Sequence, residues 1–266
     1  MITKFKNHKI TRLGGLNNLN YLLECDNKKY VLRIPSKDNR NNFLKENYVI
    51  TFANLNKLSP PIIYHNKENG ILLSEFIENS KVNMATFTSK DFLKNLCKSL
   101  RKFHSLNSPY HFNPFDEIRK NLFSLEKFNF KMDKDISLIL DKLNYLEEKL
   151  TKNKLLGLCH NDLNSSNVLY KNNTVFLLDF EFSAMGDIFF DLATLSWMLD
   201  EVERYILLKN YFGYYSYELK EKIEDYLFVV KLWNASWSYL KSINSKSDYD
   251  YKLGANMIID DLLENI

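Results

Sequence analysis

The strongest constraint on this chain lies between Leu155 and Phe182, where two apolar runs, Asn167 to Tyr170 and Thr174 to Phe180, flank the turn Lys171-Asn172-Asn173. That pattern predicts a β-hairpin. The hairpin separates two polar strings: Cys159-His160-Asn161-Asp162-Leu163-Asn164-Ser165-Ser166-Asn167 before it and Asp179-Phe180-Glu181 after it. Asp162 then falls on a loop, Asn167 at the loop's exit and Asp179 just past the next strand. Three oxygen-bearing side chains can therefore converge on one point.

That convergence suits phosphoryl transfer. Mg²⁺ takes hard oxygen ligands in octahedral geometry and draws few of them from protein, the rest coming from phosphates and water. Asn167 and Asp179 fit that part. Asp162 would face the acceptor hydroxyl, taking its proton or orienting it in line with the γ-phosphate, and His160 would brace the loop. A lone His-x-Asp is as readily an Asx turn. The asparagine five residues after Asp162 and the Asp-Phe twelve beyond that follow the order of the catalytic and metal loops of protein-kinase-like enzymes.

Upstream, short β-type runs from Ile10 to Arg33 read as three antiparallel strands, followed by a helix over Asp38 to Leu58 that ends at Ser59-Pro60-Pro61. Two more strands, near Pro61 to Tyr64 and Ile71 to Phe76, complete a five-stranded sheet with one helix over residues 1–77. The string Leu13-Gly14-Gly15-Leu16-Asn17-Asn18-Leu19-Asn20 forms a hairpin tip whose backbone N–H groups can approach phosphates, with Asn17, Asn18 and Asn20 as candidate contacts. Arg33 can pair with the α- and β-phosphates and Glu46 can hold it; a solvated arginine and glutamate are the plain alternative. Ser74-Glu75-Phe76-Ile77 would be a hinge whose backbone, at Glu75 and Ile77, meets adenine. After it the texture turns helical, with Ser89 as an N-cap, a helix to His104, and further helices over Phe115–Phe128, Asp135–Leu150, Asp187–Tyr211, Glu218–Leu240 and Ser247–Asn265. Residues 1–77 and 78–266 are the expected domains.

Composition excludes other classes. Thirty-six Lys and Arg against 33 Asp and Glu leave a charge of +3, too small and dispersed for nucleic acid to be the main partner. Cys25, Cys97 and Cys159 are widely spaced with no CxxC pair, which suggests neither a disulfide framework nor a zinc site. The first ten residues lack a signal peptide's apolar core and no stretch approaches eighteen uncharged apolar residues, so a cytoplasmic protein with no membrane partner is expected. Oligomeric state is not legible.

The strings GGLNNLNY, YVLRIP, LSPPII, LLSEFIE, HNDLNSSN and LLDFEFSAMGDIFFDLA resemble the choline/ethanolamine kinase group within the aminoglycoside-phosphotransferase-like kinases, over about residues 10–240. Arg33, where antibiotic kinases usually carry Lys, leans toward the bacterial choline kinases. The resemblance implies an α+β, bilobal protein-kinase-like fold with ATP and Mg²⁺ in the cleft. It implies Asp162 as catalytic base, Asn167 and Asp179 on the metal and Glu181 supporting that region.

A quaternary ammonium donates no hydrogen bonds, so its capture calls for aromatic faces and a nearby carboxylate. Trp233 and Trp237 stand four apart on one helical face, and Trp197 lies near Asp200 and Glu201, so Trp233, Trp237, Trp197 and Glu201 are the candidate substrate contacts. Helix-packing core is the competing reading of these aromatics. The expected activity is an ATP-dependent choline kinase giving phosphocholine. The alternative is a related small-molecule kinase acting on ethanolamine, thiamine, an amino sugar or an aminoglycoside.

Overall fold

The computed structural model describes residues 8–14, 18–35, 43–245 and 249–266. Asn17, with Gly15 and Leu16 beside it, lies outside the described residues. The chain divides into two compact units, one of residues 1–110 and 160–184, the other of residues 111–159 and 185–266.

In the first unit, β1 (His8–Leu13), β2 (Asn18–Cys25), β3 (Lys28–Pro35), β4 (Ile62–His65) and β5 (Leu72–Glu75) form the expected five-stranded sheet in the order β1-β2-β3-β5-β4. All four pairings are antiparallel. The β2–β3 turn, Asp26-Asn27, takes positive φ at both residues (48° and 61°), the backbone that a two-residue hairpin needs and that Asp and Asn tolerate. The single helix beside the sheet is α1 (Phe43–Leu55), which buries Glu46, Val49, Ile50 and Ala53 on one face; residues 38–42 of the longer expected helix lie outside the described residues.

A short turn of helix, α2 (Met84–Phe87), precedes α3 (Lys90–His104), whose N-cap Ser89 accepts from Phe92 N. Phe92, Leu93, Leu96, Cys97, Leu100 and Phe103 recur at helical spacing and are all fully buried. Phe103 lies 6.4 Å from the His160 ring and 5.7 Å from Phe180, so this helix seats both polar strings. Between them is the expected hairpin, β7 (Val168–Lys171) and β8 (Thr174–Leu177), turned at Asn172 and Asn173 with φ of 50° and 59°.

The second unit is built on α8 (Tyr217–Asn244), against which α4 (Pro114–Lys127), α6 (Phe189–Ser196) and α9 (Tyr251–Glu264) pack, with α5 (Ser137–Thr151) and α7 (Glu201–Phe212) also touching it. The continuous helix expected over Asp187–Tyr211 is instead two. A capping box restarts the chain at Asp200, whose carboxylate accepts from Glu203 N at 2.8 Å while Glu203 accepts from Asp200 N at 2.9 Å. Arg204 Nε meanwhile takes Ser196 O at 2.9 Å, a carbonyl in the last turn of α6. Asp187 itself is no helix start; it ends β9 (Ala184–Asp187), paired with β6 (Leu156–Cys159). Among the described residues no helix is long and apolar enough to cross a membrane.

Asp187, 6% exposed, is the polar centre of this unit. It pairs with Lys222 at 3.0 Å, accepts from Tyr226 at 3.0 Å and from Phe189 N at 3.1 Å. Burial and the neighbouring carboxylate push the Tyr226 hydroxyl well up, so it stays a donor. Breaking a buried ion pair from one side strands the other charge. Asp187→Ala is therefore expected to destabilise the protein by about 3–5 kcal/mol. Tyr226→Phe, which leaves the pair intact, should cost about 1 kcal/mol. Urea unfolding of the two variants checks the ranking, and equal losses would remove Asp187 from its central place.

Candidate active site

The site in the first unit starts from two strained backbones. Asn161 and Asp179 both adopt left-handed φ, 66° and 58°, which costs a non-glycine residue of order 1–3 kcal/mol unless the surroundings impose it. Hydrogen bonds between the two loops do so. His160 Nε2 meets Leu178 O at 2.7 Å, Asn161 Nδ2 donates to Phe182 O at 3.0 Å, Ser183 Oγ to His160 O at 3.3 Å, and Leu178 N to Asn167 O at 2.9 Å.

Asn167 is oriented by what faces it. Its Nδ2 donates to Asp162 O at 2.9 Å and to Asp162 Oδ2 at 2.8 Å. Both partners only accept, so the amide nitrogen points at Asp162 and Oδ1 is left as the outward, hard oxygen. Arg33 is 10% exposed at its side chain, and its Nη1 lies 2.6 Å from Glu46 and 3.1 Å from Asp179. Its Nε and Nη2 are buried with no partner. Glu181 reaches Arg33 and Asp179 through its charge.

Arg33, Asn167 and Asp179 line a cavity of about 1160 Å³, together with Asn20, Glu75 and Ile77. That volume is ample for a nucleotide-sized ligand. Asn20 Nδ2 donates to Gly14 O at 3.2 Å, closing the hairpin mouth. Glu75 N and Phe76 N are bonded to Pro61 O and Lys29 O, so the hinge donors available to the cavity begin at Ile77. Asn18 is buried in β2 and does not line the cavity. Glu46 stands behind Arg33, and Asp162 is joined to the cavity wall through Asn167.

The donor chemistry fits a magnesium–nucleotide complex. Among the described residues no three His, Cys, Asp or Glu side chains group as a complete protein cage, and Mg²⁺ wants none, binding through one or two protein oxygens and phosphates. The unpartnered guanidinium N–H groups are what phosphate oxygens would satisfy.

The four tryptophan-region candidates lie in the second unit. Trp233, 5% exposed, packs edge-on against Phe112 and Phe190 at 6.0 and 5.9 Å. Trp237 packs on Tyr251 at 5.9 Å and carries the Lys241 ammonium 5.2 Å above its ring. Trp197, 36% exposed, caps the end of α6. Glu201 is exposed and 3.4 Å from Lys220, while the Asp200 carboxylate is engaged in its cap.

Two polar side chains that sequence reasoning left aside join the site: Asn164, which donates to Asp162 Oδ1 at 3.2 Å, and Ser166, which binds Asn164. The spacing of HNDLNSSN contained them, but an Asn two residues after an Asp reads as turn chemistry.

Comparison with known proteins places these features in a family. The model described as "Phosphotransferase enzyme family" matches residues 9–226. Protein LicA of Haemophilus influenzae is 29% identical over 194 residues, covering 69% of this chain; the chain spans 56% of that relative. The choline/ethanolamine kinase family protein from Mesorhizobium loti superposes with a TM-score of 0.86 at 21% identity, over 99% of this chain and 89% of that one. The choline kinase LicA from Streptococcus pneumoniae does so with a TM-score of 0.82 at 23% identity, over 97% of this chain and 94% of that one. Those likenesses show a kinase-like fold, with an N-terminal five-stranded antiparallel sheet and a larger helical part, as the sequence implied.

Burial pushes the Asp179 carboxyl up to about 7, with Glu181, Glu46 and Asp162 adding to the rise and Arg33 opposing it. A carboxyl held above its ordinary range favours the folded state while protonated, and that contribution is lost as pH rises through about 7. Asp179→Asn keeps the shape, tolerates the left-handed φ and removes the charge. Without added metal the variant is expected to melt higher than wild type at pH 8, by at least about 2–4 °C, with the gap closing toward pH 5. Mg²⁺ should raise the wild-type melting temperature at pH 8 and leave the variant unmoved. A pH-independent gap would show that Asp179 carries no such burden.

Proposed function

Since the chain belongs to the phosphotransferase enzyme family, we propose that it is an ATP-dependent choline kinase, moving the γ-phosphate of ATP to the hydroxyl of choline to give phosphocholine. The observation that carries this reading is one cavity lined by Arg33, Asn167 and Asp179, with Asp162 tied to its wall by Asn167. The choline assignment is supported by the likeness to the choline kinase LicA from Streptococcus pneumoniae.

In this reading residues 1–77 supply the nucleotide contacts and residues 78–266 the catalytic and acceptor groups. The hairpin tip, at Asn17 and Asn20, approaches the phosphates, whereas Asn18, buried in β2, takes no part; Arg33 binds them through its unpartnered N–H groups, and Glu46 holds Arg33 in place. The backbone at Glu75 and Ile77 meets adenine. Asn167 Oδ1 and Asp179, with Glu181 behind them, would hold a magnesium ion, which would supply positive charge against the phosphate oxygens. Asp162 accepts the proton of the choline hydroxyl as the oxygen attacks the γ-phosphorus; the bond from phosphorus to the β–γ bridging oxygen breaks, ADP leaves, and the Asp162 carboxyl carries the proton. Little covalent work falls to the protein, so alignment and charge dominate the rate. Trp233, Trp237 and Trp197 offer ring faces to the trimethylammonium group and Glu201 offers the counter-charge, because a cation without N–H groups is recognised by π faces and charge alone.

Coupled ADP release with Mg²⁺, measured across choline, ethanolamine, thiamine and kanamycin, tests the acceptor. Choline should give the highest kcat/KM, and turnover of another alcohol far above it would overturn the substrate assignment. Asp162→Ala should lower kcat by about 10²–10⁴-fold while ATP binding by calorimetry persists; retained activity would remove Asp162 from its role. Trp233→Leu, chosen because alanine would open a cavity at so buried a site, should raise the choline KM about tenfold without moving the ATP KM. Parallel rises in both would indicate simple destabilisation.

A further inference from the structure

The loop after Asp162 contains a side chain whose two ends are both committed. Asn164 Oδ1 accepts from Ser166 N at 2.9 Å and from Ser166 Oγ. A backbone N–H can only donate, so the atom facing it is the amide oxygen, and the amide nitrogen necessarily turns the other way. There it meets Asp162 Oδ1 at 3.2 Å. An ordinary Asx turn uses only the oxygen half of the amide; here the nitrogen half is aimed at the candidate base.

Asp162 is therefore gripped at both oxygens, Oδ1 by Asn164 and Oδ2 by Asn167 at 2.8 Å. A carboxylate turns about its Cβ–Cγ bond with a broad, soft preference, and two fixed donors in different directions remove that freedom. The two grips differ in kind. The Asn167 amide shares its duty with the outward oxygen assigned to the metal, whereas Asn164 lies outside the cavity lining, which Ser165 and Ser166 join.

We propose that Asn164 is a positioning residue for phosphoryl transfer: Ser166 fixes the Asn164 amide, and the amide fixes the plane of the Asp162 carboxylate so that a remaining lone pair meets the acceptor hydroxyl. The proposal rests on the reading of Asp162 as the base, and extends it to Asn164, outside the cavity lining, and to Ser166, which braces it. Small angular errors in a near-attack arrangement are expensive in rate and nearly invisible in ground-state binding, which sets the signature to look for.

Asn164→Ala is expected to lower kcat by about tenfold to a hundredfold, with the KM for ATP and for the acceptor within about twofold of wild type. Asn164→Asp, of the same size, faces Asp162 with an acceptor in place of a donor and should fall at least as far. Ser166→Ala keeps the backbone N–H contact and should lose less, and the double variant Asn164→Ala/Ser166→Ala should be no slower than Asn164→Ala alone. A kcat within twofold of wild type for Asn164→Ala, additive losses in the double variant, or KM values that climb with a falling melting temperature would overturn the proposal. A second measurement needs no turnover: the Asn164 side-chain amide resonance, assigned by its loss in Asn164→Ala, should move in Asp162→Ala and in Ser166→Ala. An unmoved resonance overturns the proposal even in an active enzyme. A moved resonance in a protein silent toward every acceptor overturns the kinase reading instead, and not the bond.

Discussion

Arg33 is the charge on which the first unit depends. Its guanidinium cannot be neutralised by losing a proton, and removing an ion from water costs several kcal/mol, so its burial compels partners. Glu46 at 2.6 Å and Asp179 at 3.1 Å both address the same Nη1. One nitrogen thereby ties strand β3, helix α1 and the loop after β8, three pieces of chain far apart in sequence. The arrangement leaves Nε and Nη2 without partners, a deficit of about 1–3 kcal/mol for each buried donor that an anion's oxygens can cancel. A lysine in the same place would present a compact charge and rotate its donors freely; the planar fork holds its unused N–H groups in a fixed direction.

The surrounding charge sets a condition on any anionic ligand of this site. Asp179, Glu46, Glu181 and Asp162 are all felt at this point, and one guanidinium does not balance four carboxylates. Asp179 records the imbalance, since burial and its acidic neighbours together raise it despite Arg33. Lowering its charge, by a proton or by a divalent ion, relieves the same stress. An anionic ligand arriving alone would meet repulsion from the carboxylates, and one arriving with a hard cation would not.

Much of this was legible in the sequence because it is carried by local chemistry. Asn172-Asn173 specified its hairpin through the conformational tolerance of asparagine, and Ser89 its helix start through a side-chain oxygen. Asp162, Asn167 and Asp179 were recoverable because hairpin geometry converts their spacing into proximity. What escaped was of two kinds. The four-residue strands β6 and β9 are too short to show a period. The break at Trp197–Asp200 lay hidden under continuing apolar periodicity, although Asp200 and Glu203 spelled a capping box. Spacing also names a face without naming its partners: Trp233 and Trp237 share a helix side, yet one is clasped by Phe112 and Phe190 and the other lies under Lys241.

The way the two polar loops are joined bears on how rate enhancement can arise here. Phosphoryl transfer gains mainly from groups already aimed at where charge develops, since any reorganisation during the reaction adds to the barrier. The left-handed backbones at Asn161 and Asp179 are costly conformations, and His160, Asn161, Asn167 and Ser183 bind one loop to the other through main-chain atoms rather than through acidic side chains. The backbones that carry Asp162 and Asp179 are thus joined by hydrogen bonds that do not involve either carboxylate. Charge can enter and leave the carboxylates without releasing the scaffold beneath them, so the folded chain meets the preorganisation cost before any ligand arrives.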